Sequence, residues 1–141
     1  MMKNLLAKTL LGLFATIALA AAVHADHHEE AEGAVPLVVK IHADWCGTCV
    51  KLNPTMAELG EELGPKARVV VLDVTDKDAV AKSSAEAKAL GISAFFDAYK
   101  SKTGTVAVLR PGTEEPVAVY KGELATEPYL AAVEKARQGE V

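Results

Sequence analysis

The apolar positions between residues 37 and 74 predict a strand, a helix and a second strand. β-Branched residues are concentrated in segments 37–43 and 68–74, which indicates two short, largely buried strands. Alternation along the first strand separates two sets of side chains, with Leu37, Val39 and Ile41 on one face and Val38, Lys40 and His42 on the other. Between the strands, one apolar stripe has helical spacing: Cys49, Leu52, Met56, Leu59 and Leu63. This βαβ order predicts parallel strands joined by a right-handed crossover.

The pattern after residue 75 predicts two more helices and a hairpin. Segment 76–91 is rich in Ala and Lys and ends in glycine, which is typical of a helix. Phe95, Phe96 and Tyr99 have the spacing of a further helical turn or two. Two apolar runs, 105–109 and 116–121, flank a segment that contains Pro and Gly, so we predict a hairpin.

The last predicted element is a helix over segment 126–136. Thr126 is its predicted N-cap and Pro128 lies in its first turn. Its predicted buried stripe consists of Tyr129, Leu130, Val133 and Ala136. The predicted fold class is therefore α/β, with a mixed β-sheet flanked by helices.

Residues 1–25 have the layout of a secretory signal peptide. Lys3 and Lys8 precede an uncharged run over residues 9–23, and small side chains at Val23 and Ala25 suit a cleavage site. An uncleaved anchor is the alternative, although the run of about 15 residues is short for a bilayer, which needs ~20. A cleaved signal predicts export, most simply to the periplasm, where a disulfide can persist.

Composition and charge limit the rest of the chain. The 141 residues suit one domain, which we place at residues 37–141. Loss of residues 1–25 would remove two lysines and no acid, which changes the net charge from −4 to −6. The chain has no evident basic patch, which argues against nucleic-acid binding. Residues 26–36 are acidic and indicate a flexible arm, whose adjacent His27 and His28 suit either a loose metal contact or a solvated tail.

The chain has two cysteines, both within the segment ADWCGTC. Cys46 lies where a strand ends and a helix begins, so its sulfur faces unpaired N–H groups that favour the thiolate. Cys49 is one helical turn later and can attack a mixed disulfide at Cys46. Gly47 allows a tight turn beside the sulfur. Trp45 suits either a flat surface for a substrate peptide or a core aromatic.

Other uses of the two cysteines remain open from these residues alone. A zinc site needs four ligands, for which His42 and the arm would have to supply the other two. Copper(I) accepts two thiolates, so a non-catalytic copper carrier is the main alternative function. A purely structural disulfide would close a very small loop and restrict the unfolded chain little. An interaction module with an unused cysteine pair is a further alternative.

ADWCGTC in a strand-to-helix turn resembles the active site of the thioredoxin family. Pro54 matches the proline that kinks the family's active-site helix, and VAVYKGELATEPYLAAVEKA resembles its last strand, the following Gly122 and its closing helix. The likeness extends from about Leu37 to the end of the chain. It implies a thioredoxin-like fold and disulfide exchange in which Cys46 attacks and Cys49 resolves, without a cofactor or metal.

The same resemblance implies which partners and which surface take part in exchange. Protein thiols or disulfides are the expected partners, together with a membrane-bound or soluble redox partner, and we expect a monomer. The substrate-binding residues it implies are Trp45, Gly47, Thr48 and Val106.

Three positions depart from the family pattern. Lys40 stands where many members have a buried carboxylate, so it is a candidate modulator that favours a thiolate or, alternatively, a lysine that reaches out of the strand. Val106 is assigned to the family's cis-proline position, where we expect a trans peptide because a non-proline cis bond costs about 3 kcal/mol. Val50 replaces a lysine that often follows the second cysteine.

Overall fold

The β-branched runs form four strands of a single sheet in the computed structural model, which describes residues 34–139. The strands are β1 (Leu37–His42), β2 (Arg68–Asp73), β3 (Thr105–Leu109) and β4 (Pro116–Lys121). The helices are α1 (Gly47–Lys51), α2 (Asn53–Leu63), α3 (Lys77–Ala89), α4 (Ser93–Tyr99) and α5 (Glu127–Gln138). The predicted signal peptide and arm, except for residues 34–36, lie outside the described residues. Within residues 34–139, no helix has the length and apolar character needed to cross a membrane.

The sheet has the strand order β2-β1-β3-β4. β1 and β2 are parallel, because α1 and α2 return the chain to the same edge of the sheet before β2 begins. β3 is antiparallel to β1 and to β4, with a register shift between Val108 and Leu109. The predicted βαβ unit, hairpin and α/β fold class are confirmed.

Each face of the sheet contributes to its own hydrophobic cluster. Val38, Val106 and Val108 pack with buried side chains of α2 and α5. On the other face, Val39 and Ile41 pack with buried side chains of α3 and α4. The predicted separation of the two faces of β1 is therefore confirmed, and Lys40 lies on the α2–α5 side of the sheet.

Pro54 divides the helix that was predicted as one stripe into α1 and α2. A proline has no N–H to donate and its ring crowds the preceding turn, so the helix breaks at Leu52. The stripe is nevertheless buried as predicted, from Cys49 through Leu63. The break lies just after Cys49, beside the candidate site.

Thr126 is the N-cap residue of the last helix, as predicted, but it caps without its side chain. The Thr126 side chain makes no capping hydrogen bond, and its backbone carbonyl instead accepts from the N–H groups of Tyr129 and Leu130. Leu130 is only half-buried, and Ala132 takes its place in the buried stripe.

Candidate active site

The two cysteines are joined as a disulfide at the start of α1, with their Cα atoms 5.2 Å apart. Cys46 is the N-cap residue: its backbone is extended, and its Sγ accepts a hydrogen bond from the Cys49 N–H at 3.2 Å. Cys46 is partly exposed, whereas Cys49 is fully buried. A thiol from solvent can therefore reach the sulfur of Cys46 but not that of Cys49.

Trp45 is an exposed aromatic fixed at one edge. Its side chain is 67% exposed, and its Nε1 donates to the carbonyl of Thr75 at 3.1 Å. The Asp44 N–H donates to the Thr75 hydroxyl at 3.0 Å. Thr75 thus connects the turn before Cys46 to the end of β2. The indole is exposed to solvent, which agrees with the prediction of a flat surface and not with that of a core aromatic.

Thr75 in turn is held by Asp73. Its N–H and hydroxyl both donate to Asp73 Oδ1, at 2.8 and 2.5 Å. The hydrogen bond from the Thr75 side chain is the main cause that lowers the pKa of Asp73, with smaller contributions from the Thr75 backbone and from His42, while partial burial acts in the opposite direction.

Thr75→Val should destabilise the protein by about 1–2 kcal/mol at neutral pH, because it removes a hydrogen bond to a charged group. A depressed folded-state pKa contributes stability above the unfolded pKa and loses it as pH falls through the folded pKa. The stability gap between Thr75→Val and the native protein should therefore shrink as the pH is lowered from about 7 to about 2. Urea unfolding across that range measures it.

Thr126→Val is a matched control for this prediction, since the Thr126 hydroxyl makes no capping hydrogen bond. Its effect should stay below about 0.5 kcal/mol and should not vary with pH. A Thr75→Val gap that is the same at both ends of the pH range would contradict the assigned role of Asp73.

Lys40 lies beneath the disulfide and is 1% exposed. Its Nζ donates to the Cys49 carbonyl at 2.8 Å and to Asn53 Oδ1 at 2.6 Å. Burial lowers the pKa of Lys40. The side chain thus points inward, and the alternative that it reaches out to solvent is wrong.

Gly104, not Val106, stands opposite the cysteines. Val106 is fully buried in the α2–α5 cluster and pairs with Lys40, so it offers no surface to a substrate. A Cβ built on Gly104 would lie 3.8 Å from Cys46 Sγ. The assignment to Val106 is wrong by two residues: Val106 lies within β3 with its side chain in the core, whereas Gly104 lies just before β3 begins, beside Cys46. All peptide bonds in the described part of the chain are trans.

Thr48 packs between two glycines. A Cβ on Gly104 would lie 3.2 Å from Thr48 Cγ2, and a Cβ on Gly122 would lie 3.1 Å from the same atom. Both glycines have positive φ, and the Gly122 N–H donates to the Gly104 carbonyl at 3.1 Å. Thr48 and Gly47 are both exposed, so this surface joins α1 to the ends of β3 and β4.

The sequence did not reveal three contributors to the site: Thr75, Gly104 and Asn53. Their partners are distant in sequence, and no local pattern marks Thr75 or Asn53. Gly104 had one usable signal, since a glycine directly before a buried strand often permits a close backbone approach.

The metal alternatives gain no support from the site. Residues 34–139 contain no group of three or more His, Cys, Asp or Glu side chains that could hold a metal ion. His42 contacts Asp44 through Nε2 at 3.1 Å. The pair His27–His28 lies outside the described residues.

An α/β fold with a Cys-x-x-Cys disulfide at the start of a helix places this protein in the class of candidate redox domains. The family model described as "Thioredoxin" matches residues 19–95, which is more than half of the chain. The chain belongs to the thioredoxin family, and its fold is thioredoxin-like. The match ends in α4, so the hairpin and α5 are assigned to the fold by their topology.

Individual relatives match over shorter stretches. Thioredoxin X of the Arabidopsis thaliana chloroplast is 39% identical over 65 residues, which cover 46% of this chain and 34% of that protein. Thioredoxin of Bacillus subtilis is 36% identical over 53 residues, 38% of this chain and 49% of that protein. The chain thus spans between a third and a half of the length of these relatives. A solution structure of a thioredoxin-like protein in its oxidised form aligns with 77% of this chain and 82% of its own, at 14% identity and a TM-score of 0.48.

Proposed function

We propose that the protein is an exported thiol–disulfide oxidoreductase that exchanges disulfides with other proteins through Cys46 and Cys49. One observation carries the proposal: in a thioredoxin-family chain, a partly exposed cysteine sulfur is bonded to a fully buried one at a helix start. This asymmetry assigns a separate role to each sulfur.

Exchange begins when a substrate thiolate attacks the exposed sulfur of Cys46. The bond between the two protein sulfurs breaks, a mixed disulfide forms, and Cys49 leaves as a thiolate. A second substrate thiolate then attacks the substrate sulfur, which releases Cys46 as a thiolate and leaves an oxidised substrate. Two electrons and two protons pass from substrate dithiol to protein dithiol, and the reverse sequence reduces a substrate disulfide.

The surface around Cys46 supports a protein substrate rather than a small thiol. Trp45 and Val50 are exposed apolar side chains on either side of Cys46 in the sequence. Thr48 is exposed beside Cys46, and the buried Gly104 has no side chain that would crowd the sulfur. An extended peptide can approach such a surface, with the apolar side chains as contacts.

The exchange activity is tested by reduction of insulin disulfides with dithiothreitol. A catalytic amount of the protein should accelerate insulin precipitation well above the rate with dithiothreitol alone. Equal rates would contradict the proposed function.

The export part of the proposal rests on the predicted signal peptide. Expression of the full chain in a Gram-negative bacterium should yield a soluble periplasmic form that begins at Asp26. N-terminal sequencing of the periplasmic fraction tests it, and a full-length chain retained in the cytoplasm would contradict export.

A further inference from the structure

Lys40 is a buried cation that no buried anion accompanies. Among residues 34–139 the ion pairs are His42–Asp44, Asp97–Lys100 and Glu134–Arg137, none of which includes Lys40. The buried carbonyl oxygen of Cys49 and the side-chain oxygen of Asn53, an exposed residue, hold its ammonium, and neither carries a charge. A cation kept out of water in this way is costly, so its retention requires a physical reason.

The titratable groups that share Lys40's side of the sheet leave it without a counter-ion. His42 follows on β1, and Asp73 on β2 accepts hydrogen bonds from Thr75. The other titratable groups on this side are Tyr120 of β4 and Tyr129 of α5. α2 contributes the neutral Asn53, and the two cysteines lie at the N-cap of α1 and within it. The anion that Lys40 lacks can therefore come from α1 when the disulfide opens.

Cys49 is the cysteine that Lys40 holds. The Lys40 Nζ donates to the Cys49 carbonyl, and the Cys49 Sγ lies 3.7 Å from the carbonyl oxygen of Ile41, the next residue along β1. Both the backbone and the sulfur of Cys49 therefore lie against the same short segment of β1. Because Cys49 is fully buried, solvent does not screen a charge on its sulfur.

We propose that Lys40 is a positioning residue for disulfide exchange, whose ammonium holds Cys49 in place and favours its thiolate whenever the disulfide opens. This inference rests on the proposed oxidoreductase function. In the first exchange step Cys49 departs with the electron pair of the broken bond, and Lys40 keeps its proton and offsets the new charge. In the reverse direction the same ammonium raises the fraction of Cys49 that is ionised and ready to attack the mixed disulfide.

The expected size of the effect is at least tenfold in the acid dissociation constant of the Cys49 thiol. A close opposite charge lowers an acidic group's pKa by roughly 1–3 units, and Lys40 Nζ lies 2.8 Å from the carbonyl oxygen of the same cysteine. The effect should operate between the pKa of the Cys49 thiol and that of Lys40, since outside this window one of the two charges is absent.

The test titrates the Cys49 thiolate by its ultraviolet absorbance in a Cys46→Ser background, where it is the remaining cysteine. Adding Lys40→Met should lower the acid dissociation constant of Cys49 at least tenfold. Lys40→Gln keeps a hydrogen-bond donor but not the charge, and it should behave like Lys40→Met. An unchanged constant in either double variant would overturn the proposal.

Lys51→Met is the matched control, because Lys51 is an exposed lysine on α1 and its loss changes the net charge equally. It should change the constant less than twofold, and a tenfold change would show that any nearby cation suffices and would overturn the role of Lys40. A buried charge replaced by an apolar residue of similar volume is often neutral or stabilising, so Lys40→Met should fold.

A second readout uses the intact cysteine pair. At a pH between the pKa of the Cys49 thiol and that of Lys40, the equilibrium constant for reduction of the disulfide by glutathione should fall about tenfold in Lys40→Met, which corresponds to about 30 mV. If Lys40→Met leaves both constants unchanged while the native protein reduces insulin, the Lys40 proposal fails and the proposed function stands. If the native protein does not reduce insulin, the proposed function itself fails.

Discussion

Cys46→Ser is expected to abolish insulin reduction, with a loss on the order of 10³-fold or more, as when an enzyme loses its nucleophile. The reason is geometric: Cys46 presents the accessible sulfur, and the Cys49 sulfur is fully buried beside β1. A serine oxygen at position 46 forms no disulfide, so no mixed intermediate arises. The measurement is the rate of insulin precipitation at equal protein concentration.

Cys49→Ser provides the contrast for this prediction. It leaves the attacking sulfur in place but removes the group that resolves the mixed disulfide, so substrates should remain covalently attached. Non-reducing electrophoresis after acid quenching should reveal adducts with Cys49→Ser and none with Cys46→Ser. Adducts that form equally with both variants would contradict the separate roles of the two sulfurs.

Gly104→Pro should destabilise the protein by more than about 3 kcal/mol, although a proline near this position is what the family resemblance would suggest. Gly104 has φ +79°, which a proline ring does not permit. Its buried N–H also donates to the Ile41 carbonyl at 2.9 Å, and proline would leave that carbonyl without its partner. Urea unfolding of the oxidised protein measures the loss.

Two glycine variants calibrate this prediction. Gly104→Ala keeps the N–H but places a Cβ 3.2 Å from Thr48 Cγ2 at a positive φ, so it should cost about 1–2 kcal/mol, less than proline. Gly60→Ala lies within α2 with open space around its Cβ and should instead stabilise by up to about 1 kcal/mol. A Gly104→Pro protein as stable as the native one would show that the backbone at this position adapts freely.

The fold could be predicted well from the sequence because its signals are local. The runs 37–43, 68–74 and 105–109 are rich in β-branched residues, and each forms the expected strand. Pro54 divides the apolar stripe where its match to the family's proline implied a kink, and Thr126 is the N-cap residue as predicted. The sequence did not predict the buried stripe of α5 completely, because Leu130 is only half-buried and Ala132 is buried.

In the candidate site, too, the residues that are close in sequence could be predicted and the long-range contacts could not. Cys46, Cys49 and Trp45 lie within five residues and share a local pattern, so the sequence identifies them together. Lys40 was identified from its position, but its partners are 9 and 13 residues away, and only the packed structure brings them together. The position opposite the cysteines was missed because it contains a glycine, and without a proline to align the strand the assignment slipped to Val106.

The fit of Thr48 between two strand ends has a consequence for engineering. The dipeptide between the cysteines cannot be exchanged freely, because Thr48 packs against the backbone of Gly104 and Gly122 at the ends of β3 and β4. A larger side chain there would push against both strand ends, and a smaller one would lose these contacts. Substitutions in that dipeptide that are meant to change the reduction potential would therefore also change the packing and stability of the protein.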